Sequence, residues 1–153
     1  MVKKSQPSAK VIGIDIDPTG LKIAKGKAAQ AGVDITFDLG TAFKLPYPEN
    51  YFDRVVSSLI FHHLTTENKV RSLKEALRVL KPKGELHIAD LGKPRNLLMH
   101  LPSKVMRHLE ESEDNIKGLL PHTFRIAGFE QVKENAKFMT MVGTIALYEG
   151  QKP

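Results

Sequence analysis

Apolar positions near the start of the chain form a short strand-like run followed by a helical stripe. Residues 10–16 are rich in β-branched side chains and end in acid and proline, a pattern that predicts a buried strand. Asp17 and Pro18 then form a favourable helix start, because aspartate caps free N–H groups and proline suits the first helical position. Apolar residues follow at helical spacing, and Gly32 provides a suitable end for the helix.

The same alternation continues to about residue 90. Residues 33–37 and 52–59 predict a second and a third strand, and residues 85–90 predict a fourth. Between the third and the fourth, a helix capped by Thr65 or Thr66 carries one apolar stripe, made of Val70, Leu73, Leu77 and Leu80. Strands that alternate with helices in this way predict an α/β fold with a mostly parallel sheet covered on both faces.

The pattern changes after Gly92. The next apolar segment is amphipathic but contains Pro102, so a bent or broken helix is expected there. Two strand-like runs then follow one another without a clear helix between them, which predicts an antiparallel pair at the edge of the sheet. The segments concerned are 97–109 for the interrupted helix, 119–127 for a further short helix, and 130–138 and 140–149 for the two strands.

Composition and charge narrow the class of protein. The 153 residues fit a single domain, 1–153, in which 1–9 are expected to be a flexible N-terminal segment. The absence of cysteine excludes disulfides and thiolate chemistry. No apolar run approaches the roughly 20 residues of a membrane helix, so no membrane insertion and a cytoplasmic location are expected. The net charge of +6 comes from scattered lysines without interleaved aromatic residues, which disfavours nucleic-acid binding.

Candidate binding residues lie where the predicted strands end. In an open α/β sheet, ligands bind beyond the carboxyl ends of the strands. Asp15 ends the first strand, and a carboxylate at that place can accept two hydrogen bonds from the hydroxyls of a ribose. Asp17 is adjacent, but the helix cap already explains it. A strand-end acid is also used by NAD enzymes, so this feature alone leaves a dehydrogenase open.

Four segments separate these alternatives. In order, they are GIDIDPTGLKIAK, LPYPENYFDRVVSSLIFHHL, EALRVLKPKGELHIAD and IAGFEQV. Together they resemble the small-molecule class I S-adenosylmethionine-dependent methyltransferases, including the ubiquinone and menaquinone biosynthesis branch. The resemblance runs from about residue 10 to the C-terminus, and the pairing of LPYPENYFD with RVLKPKGEL disfavours a dehydrogenase. It implies a Rossmann-like sheet, S-adenosylmethionine as cofactor, and methyl transfer to a small or lipid-like acceptor.

The resemblance also implies a cofactor site. Asp15 matches the acid that holds the ribose, and Ile16 matches the apolar residue that packs on the adenine. Thr41 stands where the family usually has an aspartate facing the adenine amino group, and an uncharged hydroxyl gives a weaker contact. Asp38, three residues earlier, is a candidate substitute. The implied cofactor-binding residues are Asp15, Ile16, Gly40, Thr41, Ala42 and Ser58.

A histidine pair marks the acceptor side. The family often carries a histidine at the position of His63, which is therefore the candidate acid or base, with a structural role as the alternative. His62 and His63 are adjacent and point in different directions, so no metal site is expected. Lys83 replaces a glycine that is common in the family, and it is interpreted as a neutral variation of a turn.

The family's glycine-rich cofactor loop has no counterpart before residue 10, where the sequence reads MVKKSQPSA. In the family the corresponding first strand lies between the strands predicted at 10–16 and 52–59. Unpaired polar groups buried there would cost about 1–3 kcal/mol each. The two edges could pair with each other, be covered in a homodimer, or receive a strand from a second chain. The alternative function is therefore a catalytically inactive or partner-dependent module.

Overall fold

The computed structural model describes residues 2–93, 113–140 and 143–153. They fall into two compact units, Met1–Pro46 and Tyr47–Pro153. The interrupted helix predicted at 97–109 lies outside the described residues. The prediction of a single domain over 1–153 stays a prediction, and the two units are described separately below.

The first unit contains a parallel strand pair. Its elements are α1 (Val2–Ser5), β1 (Ile12–Asp15), α2 (Pro18–Gln30) and β2 (Thr36–Leu39). The strands β1 and β2 pair in parallel, with Asp15 opposite Leu39. Asp17 caps α2 as predicted, since its carboxylate accepts the N–H groups of Thr19 at 2.9 Å and Gly20 at 3.0 Å. Residues 2–5 are helical, and the flexibility expected for 1–9 stays a prediction.

The second unit contains a mixed four-stranded sheet. The strands are ordered β3-β4-β6-β5, with β3 and β4 parallel and the other neighbours antiparallel. The α/β class and the antiparallel C-terminal pair predicted from the sequence are therefore confirmed. The elements are β3 (Phe52–Ser58), a 3₁₀ turn (Phe61–His63), α3 (Thr66–Val79), β4 (Leu80–Leu91), α4 (Glu113–Lys117), α5 (Leu120–Ala127), β5 (Glu130–Thr140) and β6 (Gly143–Gln151).

One apolar core holds the second unit together. It joins side chains of α3 and α5 to the inner faces of β4 and β6, and the rings of Phe124 and Phe129 lie 5.4 Å apart within it. Of the predicted apolar stripe, Leu73 lies on α3 and Leu80 is the first residue of β4, and both are fully buried. The core thereby fixes the positions at which β3 and β4 end, and these ends carry the polar residues described in the next subsection.

The turn around Lys83 differs from the prediction. The helix α3 ends at Val79 and β4 begins at once at Leu80, so the strand starts five residues before the predicted 85. Lys83 adopts a φ of 64°, a left-handed conformation that strains a residue with a side chain. The interpretation of Lys83 as a neutral variation is therefore wrong, because glycine would adopt this conformation without that strain.

The strands β1 and β3 each have a ladder on one side only within the described residues. β1 pairs with β2, and β3 pairs with β4. In the middle of β3, the apolar side chain of Val56 is 64% exposed. An unpaired strand edge that carries an exposed valine is a surface on which another strand can add.

Candidate active site

The ends of β1 and β2 bring predicted cofactor residues together in the first unit. Asp15 is exposed, and its Oδ1 accepts the Asp17 N–H at 2.9 Å, which fixes the carboxylate at the turn into α2. The Gly40 N–H donates to the Asp15 backbone carbonyl at 2.9 Å. Asp15 and Gly40 are thus adjacent, as expected for residues at the ends of neighbouring parallel strands.

Gly40 lies against a side chain of β1. A Cβ atom at Gly40 would lie 2.7 Å from Ile14 Cδ1 and 3.3 Å from Ile14 Cγ1, so the Ile14 side chain would have to move to admit a larger residue. Ile16, the residue after Asp15, is 72% exposed. The roles expected for Asp15 at the ribose and for Ile16 at the adenine stay predictions.

Thr41 and Ala42 follow Gly40 just beyond the end of β2. The Thr41 hydroxyl oxygen accepts the Phe43 N–H at 3.2 Å, and Thr41 also forms an isolated antiparallel bridge with Lys44. Ala42 is exposed. We call residues 15, 16 and 40–42 the nucleoside segment. Its hydroxyl at Thr41 supplies a neutral hydrogen-bonding group where the family commonly has a charged one.

In the second unit, β3 ends at Ser58, which is exposed. Leu59 follows with a φ of 54°, and its N–H donates to the Ala89 carbonyl at 2.8 Å. A left-handed conformation costs an ordinary residue roughly 1–2 kcal/mol. This reversal directs the chain from β3 into the 3₁₀ turn, so the strained residue positions the histidine pair.

A buried carboxylate, Asp90, organises that turn. Asp90 lies near the end of β4 with none of its surface exposed. Its Oδ2 accepts the N–H of Ile60 at 3.0 Å and that of Phe61 at 2.8 Å. Its Oδ1 accepts the His62 N–H at 3.2 Å and the Leu91 N–H at 2.8 Å. Four backbone donors therefore aim at one side chain, and the three from residues 60–62 tie the 3₁₀ turn to β4.

Two side chains complete the group that we call the Asp90 cluster: Asp90, residues 60–62, Leu91 and Asn115. His62 Nδ1 lies 2.8 Å from Asp90 Oδ1, and Asn115 Nδ2 donates to the same oxygen at 3.1 Å. Asn115 is fully buried, and its Oδ1 has no hydrogen-bond partner among the described residues. All six contacts to Asp90 involve groups that can donate a hydrogen bond, so both oxygens of this buried side chain have partners.

The helix α4, which carries Asn115, is tied to α3 by charge. Asp114 accepts a hydrogen bond from the Thr66 hydroxyl, and its Oδ2 lies 3.7 Å from Lys69 Nζ. Lys69 is only 1% exposed, so its ammonium is removed from water beside a carboxylate. These contacts hold Asn115 in position against Asp90.

The two histidines differ in environment. His62 is 7% exposed and belongs to the Asp90 cluster, whereas His63 is exposed. Their rings lie 4.0 Å apart, with their planes inclined by 42°. The catalytic role expected for His63 stays a prediction. The pairing of His62 with Asp90 was missed, although an acid at the end of the ELHIAD strand was a visible signal for it.

Tyr148 lies in the apolar core of the second unit. Burial, followed by the nearby carboxylates of Glu134 and Asp90, raises the pKa of the Tyr148 phenol well above its ordinary value. The Tyr148 hydroxyl has no hydrogen-bond partner among the described residues. The phenol is therefore neutral over the whole physiological range.

Residues 2–93, 113–140 and 143–153 contain no cluster of three or more metal-ligating side chains of the His, Cys, Asp or Glu type. None of the helices in this part of the chain has the length and apolar character needed to cross a bilayer.

The sequence matches the family model of the methyltransferase domain over residues 2–88, more than half of the chain. The chain belongs to the methyltransferase domain family. The predicted resemblance to class I S-adenosylmethionine-dependent methyltransferases is thus confirmed, and with it the cofactor expected for the family.

A curated relative supports the same assignment. The ubiquinone/menaquinone biosynthesis C-methyltransferase UbiE of Stutzerimonas stutzeri is 32% identical over 96% of this chain. The methyltransferase chain described here spans 64% of the length of that relative.

Solved structures agree on the fold. The S-adenosylmethionine-dependent methyltransferase from Methanosarcina mazei superposes with a TM-score of 0.74 at 20% identity, covering 99% of this chain and 85% of that one. The structure described as PigF with SAH gives a TM-score of 0.71 at 16% identity, covering 99% and 46% of the two chains. At these identities the comparison supports the methyltransferase fold and nothing finer.

Proposed function

We propose that this chain binds S-adenosylmethionine and takes part in the transfer of its methyl group to a small or lipid-like acceptor. The observation that carries the proposal is the nucleoside segment of a methyltransferase-family chain. There the exposed Asp15 carboxylate accepts the Asp17 N–H at the end of β1, and the Asp15 backbone carbonyl accepts the Gly40 N–H.

The proposed contacts follow from the chemistry of each side chain. The Asp15 carboxylate accepts hydrogen bonds from the two ribose hydroxyls, and the exposed Ile16 side chain packs on the adenine. Thr41 offers a hydroxyl to the adenine amino group. Because neutral hydrogen bonds are weaker than charge-assisted ones, Asp15 contributes more to affinity than Thr41 does.

Methyl transfer places modest demands on the protein. The cofactor supplies an already activated sulfonium, so the chain's task is to hold the acceptor in line with the methyl group and to exclude water. Ser58 and His63, both exposed in the second unit, are proposed to contact the methionine end of the cofactor and the acceptor respectively. The relative named for ubiquinone/menaquinone biosynthesis supports an apolar ring compound methylated on carbon as the acceptor. We also propose a cytoplasmic location.

Calorimetric titration of the full chain with S-adenosylhomocysteine tests the cofactor proposal. About micromolar affinity is expected, with no binding of NAD under the same conditions. Binding of NAD without binding of S-adenosylhomocysteine would favour the dehydrogenase alternative. If neither ligand bound at about millimolar concentration, the proposal that this chain binds the cofactor by itself would be wrong.

A second proposal concerns partners: the working form contains a second copy of the chain or a separate chain that adds a strand to β3. The one-sided ladder of β3 and the 64% exposure of Val56 in that strand support it. Sedimentation velocity over a range of concentrations tests the homodimer. Val56→Lys is expected to weaken self-association and Val56→Thr to retain it, because threonine keeps the β-branched shape without a charge. A monomer that binds S-adenosylhomocysteine fully at every concentration would contradict the partner proposal.

A further inference from the structure

We propose that the second unit docks on an anionic lipid surface through apolar side chains at one edge of its sheet. The inference rests on the proposed methyl transfer to a lipid-like acceptor, because docking brings the ligand-binding edge of the sheet to a surface that can hold such an acceptor. Five exposed side chains form this surface, which we call the apolar rim: Leu59, Ile60, Leu119, Phe138 and Met139.

The strand order places most of the apolar rim where ligands of such sheets bind. Leu59 and Ile60 follow the end of β3. The strands β4 and β5 run in the same direction, because β6 lies between them and is antiparallel to both. Phe138 of β5 and Leu91, the last residue of β4, are both opposite Ile145 of β6. The carboxyl ends of β3, β4 and β5 therefore share one edge, beyond which ligands bind in open α/β sheets.

Leu119 belongs to this edge through the turn between α4 and α5. A Cβ atom at Gly118 would lie 3.3 Å from Lys93 Cβ, so this turn lies against the chain just after β4. Asn115 of α4 also donates a hydrogen bond to Asp90 near the end of β4 at 3.1 Å. These contacts hold Leu119, which is 42% exposed, beside the other members of the apolar rim.

The apolar rim is broad rather than confined to one loop. The strands from β3 to β5 span about 14 Å, at about 4.8 Å for each pair of neighbours. Its side chains are between 42% and 58% exposed and come from both outer strands and from a helix start. Exposed apolar groups that share one side of a unit mark interaction sites, and a wide edge suits a flat partner such as a bilayer surface.

Charge favours a lipid surface over a second copy of the chain. The net charge is +6, and Lys93 and Lys117 are exposed beside the turn that carries Leu119. Glu67 is an exposed acid in the first turn of α3, whereas Asp114 lies 3.7 Å from the buried Lys69 ammonium. Anionic headgroups attract a basic chain, whereas two copies that carry the same net charge repel each other. A second copy on this edge would also cover the proposed acceptor site.

Co-sedimentation of the full chain with vesicles tests the apolar rim without cofactor or acceptor. Vesicles that contain phosphatidylglycerol and phosphatidylcholine are expected to bind the chain, and vesicles of phosphatidylcholine alone are expected to bind it more weakly. Raising the ionic strength from about 0.1 M to about 1 M shortens the Debye length from about 10 Å to about 3 Å. Binding to the anionic vesicles should therefore weaken at high salt.

Phe138→Glu is the variant that decides the proposal. Full burial of an exposed phenylalanine changes affinity about tenfold or more, and 53% of Phe138 is available for burial. Because glutamate also adds repulsion from anionic lipid, vesicle binding about tenfold weaker is expected. Ile126→Glu is the matched control, because Ile126 is 56% exposed but lies near the C-terminal end of α5, away from the apolar rim. If Phe138→Glu lacks the circular dichroism spectrum of the parent chain, Leu119→Glu replaces it.

Parent-like vesicle binding in Phe138→Glu, an equal loss in Ile126→Glu, or no binding of the parent chain at about millimolar lipid would overturn the proposal. Sedimentation velocity without vesicles tests the other occupant. Self-association that is lost in Phe138→Glu but kept in Val56→Lys would show that a second copy covers the apolar rim, and the lipid proposal would be wrong. If vesicles bind as expected but S-adenosylhomocysteine does not, lipid docking is supported and the proposed cofactor function fails.

Discussion

Replacing Asp90 with asparagine removes one acceptor oxygen from the buried cluster while keeping the shape of the side chain. The new amide can be placed in two ways. The more favourable one puts its oxygen at the Oδ1 position, where four donors point, and its NH₂ group at the Oδ2 position. There it faces the N–H groups of Ile60 and Phe61, which lose their acceptor. Each buried donor left unsatisfied costs about 1–3 kcal/mol, and the Ile60 group is only partly buried. We therefore expect Asp90→Asn to lower the free energy of unfolding by about 2–4 kcal/mol.

Urea unfolding followed by circular dichroism measures this loss, and thermal unfolding should show a fall in Tm of at least about 4 °C. Asp53→Asn is the matched control. Asp53 pairs with Lys81 at 2.7 Å on the surface, and although that hydrogen bond and charge lower the pKa of the Asp53 carboxyl, the group is fully exposed. No resolvable change in stability is expected at neutral pH. If Asp90→Asn were as stable as the parent chain, the inference that Asp90 organises the 3₁₀ turn would be refuted.

Three further changes test other parts of the molecule. Lys83→Gly should raise the free energy of unfolding by about 0.5–1 kcal/mol, because relief of left-handed strain exceeds the added freedom of the unfolded chain. Lys83→Ala should show no such gain, because alanine also has a side chain. A lower urea midpoint for Lys83→Gly than for the parent chain would contradict the inference that Lys83 is strained. Because the pKa of Tyr148 is raised in the folded chain, the folded state is favoured most while the phenol is neutral. The contribution of Tyr148 to the free energy of unfolding is therefore complete below the ordinary tyrosine pKa of about 10 and is lost as the pH rises above about 10. In Tyr148→Phe the free energy of unfolding should therefore fall less steeply as the pH rises into the alkaline range, as measured by urea titrations at several pH values. An equally steep fall in the variant would contradict the inference that burial raises the pKa of Tyr148. Thr41→Asp should tighten S-adenosylhomocysteine binding several-fold by calorimetry, and weaker binding would show that the Thr41 position does not face the adenine amino group.

Periodicity and caps predicted the main elements well. The Asp17 cap and the glycine end of α2 are local signals, and both are present, with Gly32 at a φ of 63°. The apolar stripe that contains Leu73 likewise predicted the buried face of α3, although its last member, Leu80, begins β4. These features depend on neighbours a few residues apart, which a single sequence displays directly.

Longer-range relations were harder to predict. The start of β4 at Leu80 depends on its pairing with Phe52, a relation that leaves no local pattern. The contact of Asp90 with His62 joins residues 28 positions apart, so the acid was visible as a strand-end residue while its partner was not. The α4 helix that brings Asn115 to Asp90 was not predicted, because its five residues carry no helical period of their own.

The candidate site likewise contains some features that the sequence predicted and others that it did not. The family resemblance implied both Asp15 and Gly40 as cofactor residues, and the structure joins them by a 2.9 Å backbone hydrogen bond at the ends of two parallel strands. The left-handed conformation of Leu59, with a φ of 54°, was not predictable from its type, since leucine rarely adopts it. The tertiary structure of the second unit imposes it, through the Leu59 N–H bond to Ala89.

The most direct test of the central claim is the change in S-adenosylhomocysteine affinity when the Asp15 carboxylate is removed. Loss of hydrogen bonds between a charged group and the ribose, worth about 1.5–3 kcal/mol, predicts affinity about ten- to a hundredfold weaker in Asp15→Ala by calorimetry. Asp34→Ala is the matched control, because Asp34 is exposed and precedes β2, at the opposite end of the strand pair. We expect parent-like affinity for Asp34→Ala and the loss for Asp15→Ala. Equal affinity in the parent chain and in Asp15→Ala would contradict it.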